Sequence, residues 1–522
     1  MTRSAIRLLL CAVALNLAPS GSVQAETLRL ARNADIKILD PVLTQDNIDI
    51  WILPSIYETL LRPTADGQGV EPGLASAWTV AADGLSIDLT MRAGVTFSNG
   101  SPLTPEDAKW SLDRARQPNA GFSSFLLQSI ASVDVMGTDL VRVTLKGPDA
   151  SIIAALATFN AAILPAKLVL AAPGATVVEK ATAFARNPVG TGPFKLTGIS
   201  TGTGMTLVRN ETYWDKAADG AALPYLDGID ISVMPDDASR VLALAAGEVD
   251  AVEYLPFEAA ASKADGVGVT LFPSSRVVYL QMNMRENLPD GSANPLASAE
   301  VRQALNLAVD KGAVIKAVTF GLGQPLTSFM ASTTPLHHDM GPLYPVDLEQ
   351  AKALLAKAGF ADGFEVHCDM LAGNSEELAS LQIVQAMWAQ VGVALVIDQM
   401  DYGSKSARYD EELFQMQTGA WTNDINDPSE ITDYFANWPT IHSMRTGYRD
   451  EALEAKFLES QRTVDVTARG ALYTKIQQTY VEAAPLIFIY ETPFVVGLRD
   501  GVTEFRQSAL GIYDFAHTRV AR

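Results

Sequence analysis

The segment from Phe364 to Ile397 constrains the fold more than any other stretch. Phe364-Glu-Val-His-Cys-Asp-Met370 reads as a strand. A helical stretch follows from about Glu376 to Val391, with Leu381, Val384, Trp388 and Val391 on one side. A second strand is predicted at Val393–Ile397. Strand, helix and strand in this order form a βαβ unit, whose strands are parallel near neighbours. The chain is therefore expected to be α/β. Phe414-Gln-Met-Gln-Thr418 alternates as a further strand and runs into Gly419-Ala-Trp421-Thr-Asn-Asp424-Ile-Asn-Asp427-Pro428. In open α/β sheets ligands gather beyond the carboxyl ends of strands. The loop starting at Trp421, with an aromatic face and several carboxylates, is thus the best-placed site candidate.

Other elements are signalled along the chain. Leu85, Ile87, Leu89 and Met91 alternate on one strand face, and Val141–Lys146 repeats the pattern. Thr104-Pro-Glu-Asp107 opens a helix, with Thr104 as N-cap, Pro105 at the first position and Asp107 as capping-box partner. Val301, Ala304, Leu305 and Ala308 share one face of a helix that should end before Gly321. Asp347 caps another, with Ala351, Leu354, Leu355 and Ala358 as its apolar face and Gly359 as its stop.

The 522 residues suffice for two to four domains of roughly 150 residues each. A net charge of -21 repels phosphate backbones, so nucleic acid is excluded as a general partner, and no polybasic membrane patch is supported. Residues 1–25 have the three parts of an export signal. Arg3 and Arg7 supply positive charge, Leu8 to Leu17 is apolar, and Val23 and Ala25 occupy the small-residue positions of a peptidase site. Cleavage is expected after Ala25, by the Sec route, since no twin Arg is present. A lipoprotein reading at Cys11 is weaker, because Leu10 is bulkier than the residue usual there. The expected product is a soluble periplasmic protein whose single thiol, Cys368, is a buried structural residue rather than a reactive one.

Enzyme signatures are missing from the sequence. It has no G-x-S-x-G, H-E-x-x-H, P-loop or C-x-x-C. Neighbouring His337 and His338 are a poor two-ligand geometry and read as a surface loop rather than a metal site. Asn187-Pro-Val-Gly-Thr-Gly192-Pro-Phe194 lacks phosphate-loop spacing and reads as a rigid turn or hinge. No catalytic residue, cofactor or metal is expected.

Several segments, taken in order from Glu26 to Phe515, resemble the solute-binding proteins of ABC importers, the large dipeptide/oligopeptide/nickel class known as family 5. They are Leu74-Ala-Ser-Ala-Trp78 with Asp83-Gly84-Leu85, Met91–Asp107, Asn187–Phe194, Val301–Asp310 and Ala351–Gly359. The resemblance implies a two-lobed periplasmic-binding-protein fold that closes on a ligand, with an extra domain. On that pattern residues 26–58, 187–270 and 492–522 form the first lobe, 59–186 the extra domain and 271–491 the second lobe. The family carries an acid after a Trp that pairs with a ligand's α-amino group in peptide-binding members. Trp421-Thr-Asn-Asp424 matches it, which gives the amine-binding role to Asp424 and leaves Asp427 structural. Trp421 stacks on the ligand or belongs to the core, and Asn423 lies in the same loop. Arg408, on the Tyr402–Tyr409 stretch with Tyr402, meets a ligand carboxylate or is a solvated helix charge. Tyr279 and Asn283 follow the return into the second lobe, where Asn283 touches ligand or fixes a loop.

The implied function is capture of a dipeptide, oligopeptide or related amino-bearing solute for an ABC permease, by a monomer. Opines, glutathione and chelated nickel are alternative ligands. An exported hydrolase of peptides or glycans is the alternative from another class.

Overall fold

The computed structural model describes residues 26–521 apart from 65, 66, 68, 119, 263–267 and 290. The expected export signal lies outside the described residues. Three sheets organise the chain. The first has seven strands in the order Gly268–Phe272, Phe494–Leu498, Ala251–Val252, Thr27–Arg32, Gly228–Val233, Gly204–Arg209 and Phe194–Ser200. The second has six, in the order Gln324–Pro325, Leu486–Glu491, Val277–Met282, Met416–Trp421, Phe364–Leu371 and Val393–Met400. The third is antiparallel, with Ala75–Val80, Ser86–Met91, Leu140–Leu145 and Ile130–Val135 in that order. Among the described residues, no helix is long and apolar enough to cross a membrane.

The βαβ unit forms as its periodicity requires. Phe364–Leu371 and Val393–Met400 pair in parallel, joined by the helix Ser375–Ala389. Leu381, Val384 and Trp388 are fully buried against the second sheet, and Trp388 Nε1 donates to the Leu305 carbonyl at 3.0 Å. Alternation divides this sheet between two cores. Leu280, Cys368 and Ile487 face one of them, and Tyr279 and Phe488 face the other. Cys368 is buried, and burial pushes its thiol far up, as suits an inert structural thiol. Thr104 and Asp107 make the reciprocal capping box of the helix Pro105–Ala115.

Two expectations change. The helix carrying Val301 does not continue towards Gly321. It ends at Leu307, and Asp310 starts a second helix, Lys311–Val318, by accepting the Ala313 N–H at 3.0 Å. An Asp that caps so well competes with continuation. The strand expected at Phe414–Thr418 is shifted to Met416–Trp421, where it pairs antiparallel with Val277–Met282. The first sheet keeps its edge strand to Phe272.

Two short crossings join the first and second sheets. Residues 273–276 lead into Val277–Met282, and Thr492-Pro493 leads from Leu486–Glu491 back to Phe494–Leu498. The Thr492 N–H donates to the Arg276 carbonyl, which ties the crossings together. The Asn187–Phe194 turn packs on the backbone of Ile56. A Cβ at Gly190 would lie 1.9 Å from the Ile56 carbonyl oxygen, so glycine is needed there for close approach.

Candidate functional site

A cavity of about 690 Å³ lies between the two large sheets, within the usual range for a small-molecule site. Asn33, Lys37, Asp46, Asp237 and Arg240 line it from the first side. Arg276 and Val278 lie at the crossing, and Asn374, Glu376, Thr418 and Ala420 line the second side. The strands Thr27–Arg32 and Phe364–Leu371 both end at this cavity, so it occupies the position beyond strand carboxyl ends. The helix Ser375–Ala389 starts there, capped by Asn374.

Most charges in the cavity are satisfied by the chain itself. Lys37 Nζ is 2.9 Å from Asp46, and Arg240 pairs with Asp237. Glu377 accepts the Leu371 N–H at 3.1 Å and the Thr418 hydroxyl at 2.7 Å. Arg276 and Glu376 differ. Among the described residues, neither side chain forms an ion pair. Burial between the lobes pulls the Glu376 carboxyl up; Arg276 opposes the shift, and Asp237 from the opposite side adds to it.

The loop after Trp421 is held at many points. The Trp421 ring packs at 4.9 Å from Tyr434 and 5.8 Å from Phe435, and its Nε1 donates to Asn423. Asn423 donates its N–H to Ser275 Oγ at 3.0 Å and its Nδ2 to Thr334 Oγ1 at 3.1 Å. Asp427 accepts both terminal nitrogens of Arg469, at 2.6 and 2.8 Å, with both side chains buried. Glu430 Oε2 accepts the Asp424 and Ile425 N–H groups at 2.8 and 3.2 Å. Half-buried Asp424 has Glu430 and Ser123 as neighbours, and the buried Ser123 hydroxyl has no hydrogen-bond partner among the described residues.

These positions separate the residues nominated by sequence. Tyr279 lines the cavity beneath Gly419, where an added Cβ would come 2.4 Å from its ring. Tyr402 is 63% exposed and lies 5.6 Å from Lys37 Nζ of the opposite lobe. Trp421, Asn423 and Asp424 directly follow the lining residues Thr418, Gly419 and Ala420 but are not themselves among the walls of this cavity. Asn283 and Arg408 form hydrogen bonds away from the cavity. Asn283 is buried and gives Nδ2 to the Phe414 carbonyl at 2.9 Å, so its amide fixes the chain rather than facing the cavity. Arg408 donates Nε to buried Asp369 at 2.6 Å and is likewise absent from the cavity wall.

Arg276 and Glu376 are the charged residues that sequence reading missed. Glu376 begins a helix just past the carboxyl end of Phe364–Leu371, so the strand-end rule applied to Trp421 nominates it equally. Arg276 carries no such local signal. Elsewhere, His337 shares a 3.1 Å contact with Thr327 Oγ1, and no group of three or more potential metal ligands occurs among the described residues.

Two sheet-centred lobes joined by paired crossings, with a polar cavity between them, define a two-lobed binding protein of the α/β type. The chain matches the family of bacterial extracellular solute-binding proteins, family 5 Middle, over residues 69–441, and it belongs to that family. It is 26% identical over 486 residues to the glutathione-binding protein GsiB of Salmonella typhimurium, covering 91% of each chain. Heme-binding protein A of Haemophilus influenzae is 27% identical over 487 residues, covering 88% of this chain and 85% of that one. Among solved structures, DppA of Helicobacter pylori in complex with the peptide STSA superposes with a TM-score of 0.80 at 24% identity, covering 95% and 98% of the two chains. A Pseudoalteromonas dipeptide-binding protein in complex with Met-Leu gives 0.82 at 20% identity, covering 95% and 100%. The protein is a solute-binding protein with the two-lobed periplasmic-binding-protein fold.

Proposed function

We propose that the chain captures a dipeptide, oligopeptide or related amino-bearing solute by lobe closure and delivers it, unchanged, to an ABC permease. The observation that carries this reading is the inter-lobe cavity, whose acids approach from both sides while Arg276 has no ion-pair partner among the described residues. A ligand ammonium offsets the acidic wall, and a ligand carboxylate offers Arg276 charge-assisted hydrogen bonds of about 1.5–3 kcal/mol. The amine-binding role belongs to Asp424, met by a ligand that extends past Ala420. The bond between Asn423 and Ser275 supports this arrangement, because it sets the acidic loop beside the Arg276 crossing. Closure strips water from both ends of the ligand, so the empty protein favours the open form and ligand shifts the population. Glutathione and opines fit the same charge pattern, and a nickel ion fits only within a small chelator. In this reading the protein is a periplasmic monomer, cut after Ala25, and performs no covalent chemistry.

A tryptophan-fluorescence titration against free dipeptides, glutathione and opines tests the reading. Saturation with the solute recovered intact is expected. Arg276→Gln should weaken a carboxylate-bearing solute by about tenfold or more and leave its amide unaffected. Cleaved product at catalytic turnover would sink the reading in favour of an exported hydrolase.

A further inference from the structure

Asp424 and Glu430 form a carboxyl pair at the seam between the second lobe and the extra domain. Glu430 is 1% exposed, at the start of the helix Ser429–Ala436. Its Oε2 is held by two backbone N–H groups, so the side chain cannot swing away without orphaning both donors. Its Oε1 is buried and receives no donor hydrogen among the described residues, while the Asp424 carboxyl lies within hydrogen-bond reach. Two carboxyl groups this close cannot both ionise cheaply, and a hydrogen bond between them requires a proton on one.

Among the described residues no Lys, Arg or His forms an ion pair with either group, and the nearby Arg469 guanidinium is committed to Asp427. The extra domain contributes Ser123, and the same helix contributes Tyr434 and Asp433. These groups are neutral or acidic. Burial is the main cause that pulls both carboxyls up, Asp424 to about 7 and Glu430 in the same direction.

We propose that the Asp424–Glu430 pair is a proton-exchanging receptor for the ligand's ammonium group: the empty pair holds one proton between its carboxyls, and the incoming –NH3+ expels that proton to solvent. The exchange balances, because one positive charge enters the pair as one leaves it. No covalent bond changes other than the O–H that is lost. Glu430 is a positioning residue, since it sets the protonation of Asp424 rather than touching the solute. The inference rests on the reading that Asp424 receives a ligand amine. It adds that capture is coupled to pH. Affinity rises as pH rises while the pair still carries its proton, then levels once the proton is gone.

Calorimetry in buffers of different ionisation heat tests the exchange. The probes are glutathione and a set of free dipeptides, each beside its N-acetyl form, screened first by thermal shift. For the tightest free amine, the wild-type protein should release close to one proton per ligand at pH 6, and none at pH 8.5. Glu430→Gln, which keeps an acceptor oxygen for the two N–H groups, should abolish the release and flatten the pH dependence of Kd. Asp424→Asn should weaken binding by about tenfold or more. Loss of affinity in Asp424→Asn without proton release in the wild type overturns the exchange and leaves the amine reading standing. Unchanged affinity in Asp424→Asn, equal binding of the N-acetyl form, or no binding of any free amine overturns both.

Discussion

At the scale of single residues, burial decides what a charge does. Asp427 and Arg469 are both buried and meet in two parallel hydrogen bonds that anchor the Trp421–Pro428 loop to the helix Val466–Ala483. Removing one partner strands a charge in a site built for two. Arg469→Met should therefore cost about 3–5 kcal/mol of stability, read as a lowered urea midpoint, with loss of affinity beyond what unfolding explains. A change below about 1 kcal/mol, the value of an exposed pair, would show that the loop does not depend on this contact. Asp424 differs from its neighbour Asp427 because, among the described residues, no guanidinium pairs with it and the acid Glu430 lies beside it.

At the scale of elements, close backbone approach decides where some turns can sit. The Asn187–Phe194 turn presses on Ile56, and the added Cβ of Gly190→Ala would collide with a carbonyl oxygen rather than with a side chain able to move. Overpacking of this kind costs about 1–3 kcal/mol. Gly190→Ala should lower the thermal midpoint, whereas Gly198→Ala, where nothing lies within 4 Å, should not lower it by a comparable amount. The helix Ser375–Ala389 shows the complementary case. Its apolar face fixes it to the sheet, and this packing brings the Asn374–Glu377 end to the cavity.

At the scale of the whole molecule, buried acids couple folding to pH. Glu58, just before the strand Leu61–Pro63, accepts Trp214 Nε1 at 3.0 Å. Burial lifts its carboxyl from 4.5 to about 7. A raised folded-state value means that the folded chain binds more protons than the unfolded one. The stability this group contributes is full below about pH 4.5 and is lost as pH rises towards 7. Asp424 and Glu430 act in the same direction. Glu58→Gln should therefore reduce the difference in melting temperature between pH 4.5 and pH 7.5. An unchanged difference would remove Glu58 from the pH response.

The sequence by itself determined the α/β class, the βαβ unit around Cys368 and the capping box at Thr104, because each depends on neighbours within a few turns of chain. It also nominated the Trp421–Asp424 loop, from the rule about strand ends and a family pattern. Only the tertiary structure decided that Arg276 and Glu376 face the same cavity, that Asn283 and Arg408 serve their own lobe, and that Glu430 stands against Asp424. Those relations join segments up to 131 residues apart, or turn on which side of a strand or helix is buried. Local periodicity carries no information about the distance between two charges until the lobes are assembled around them.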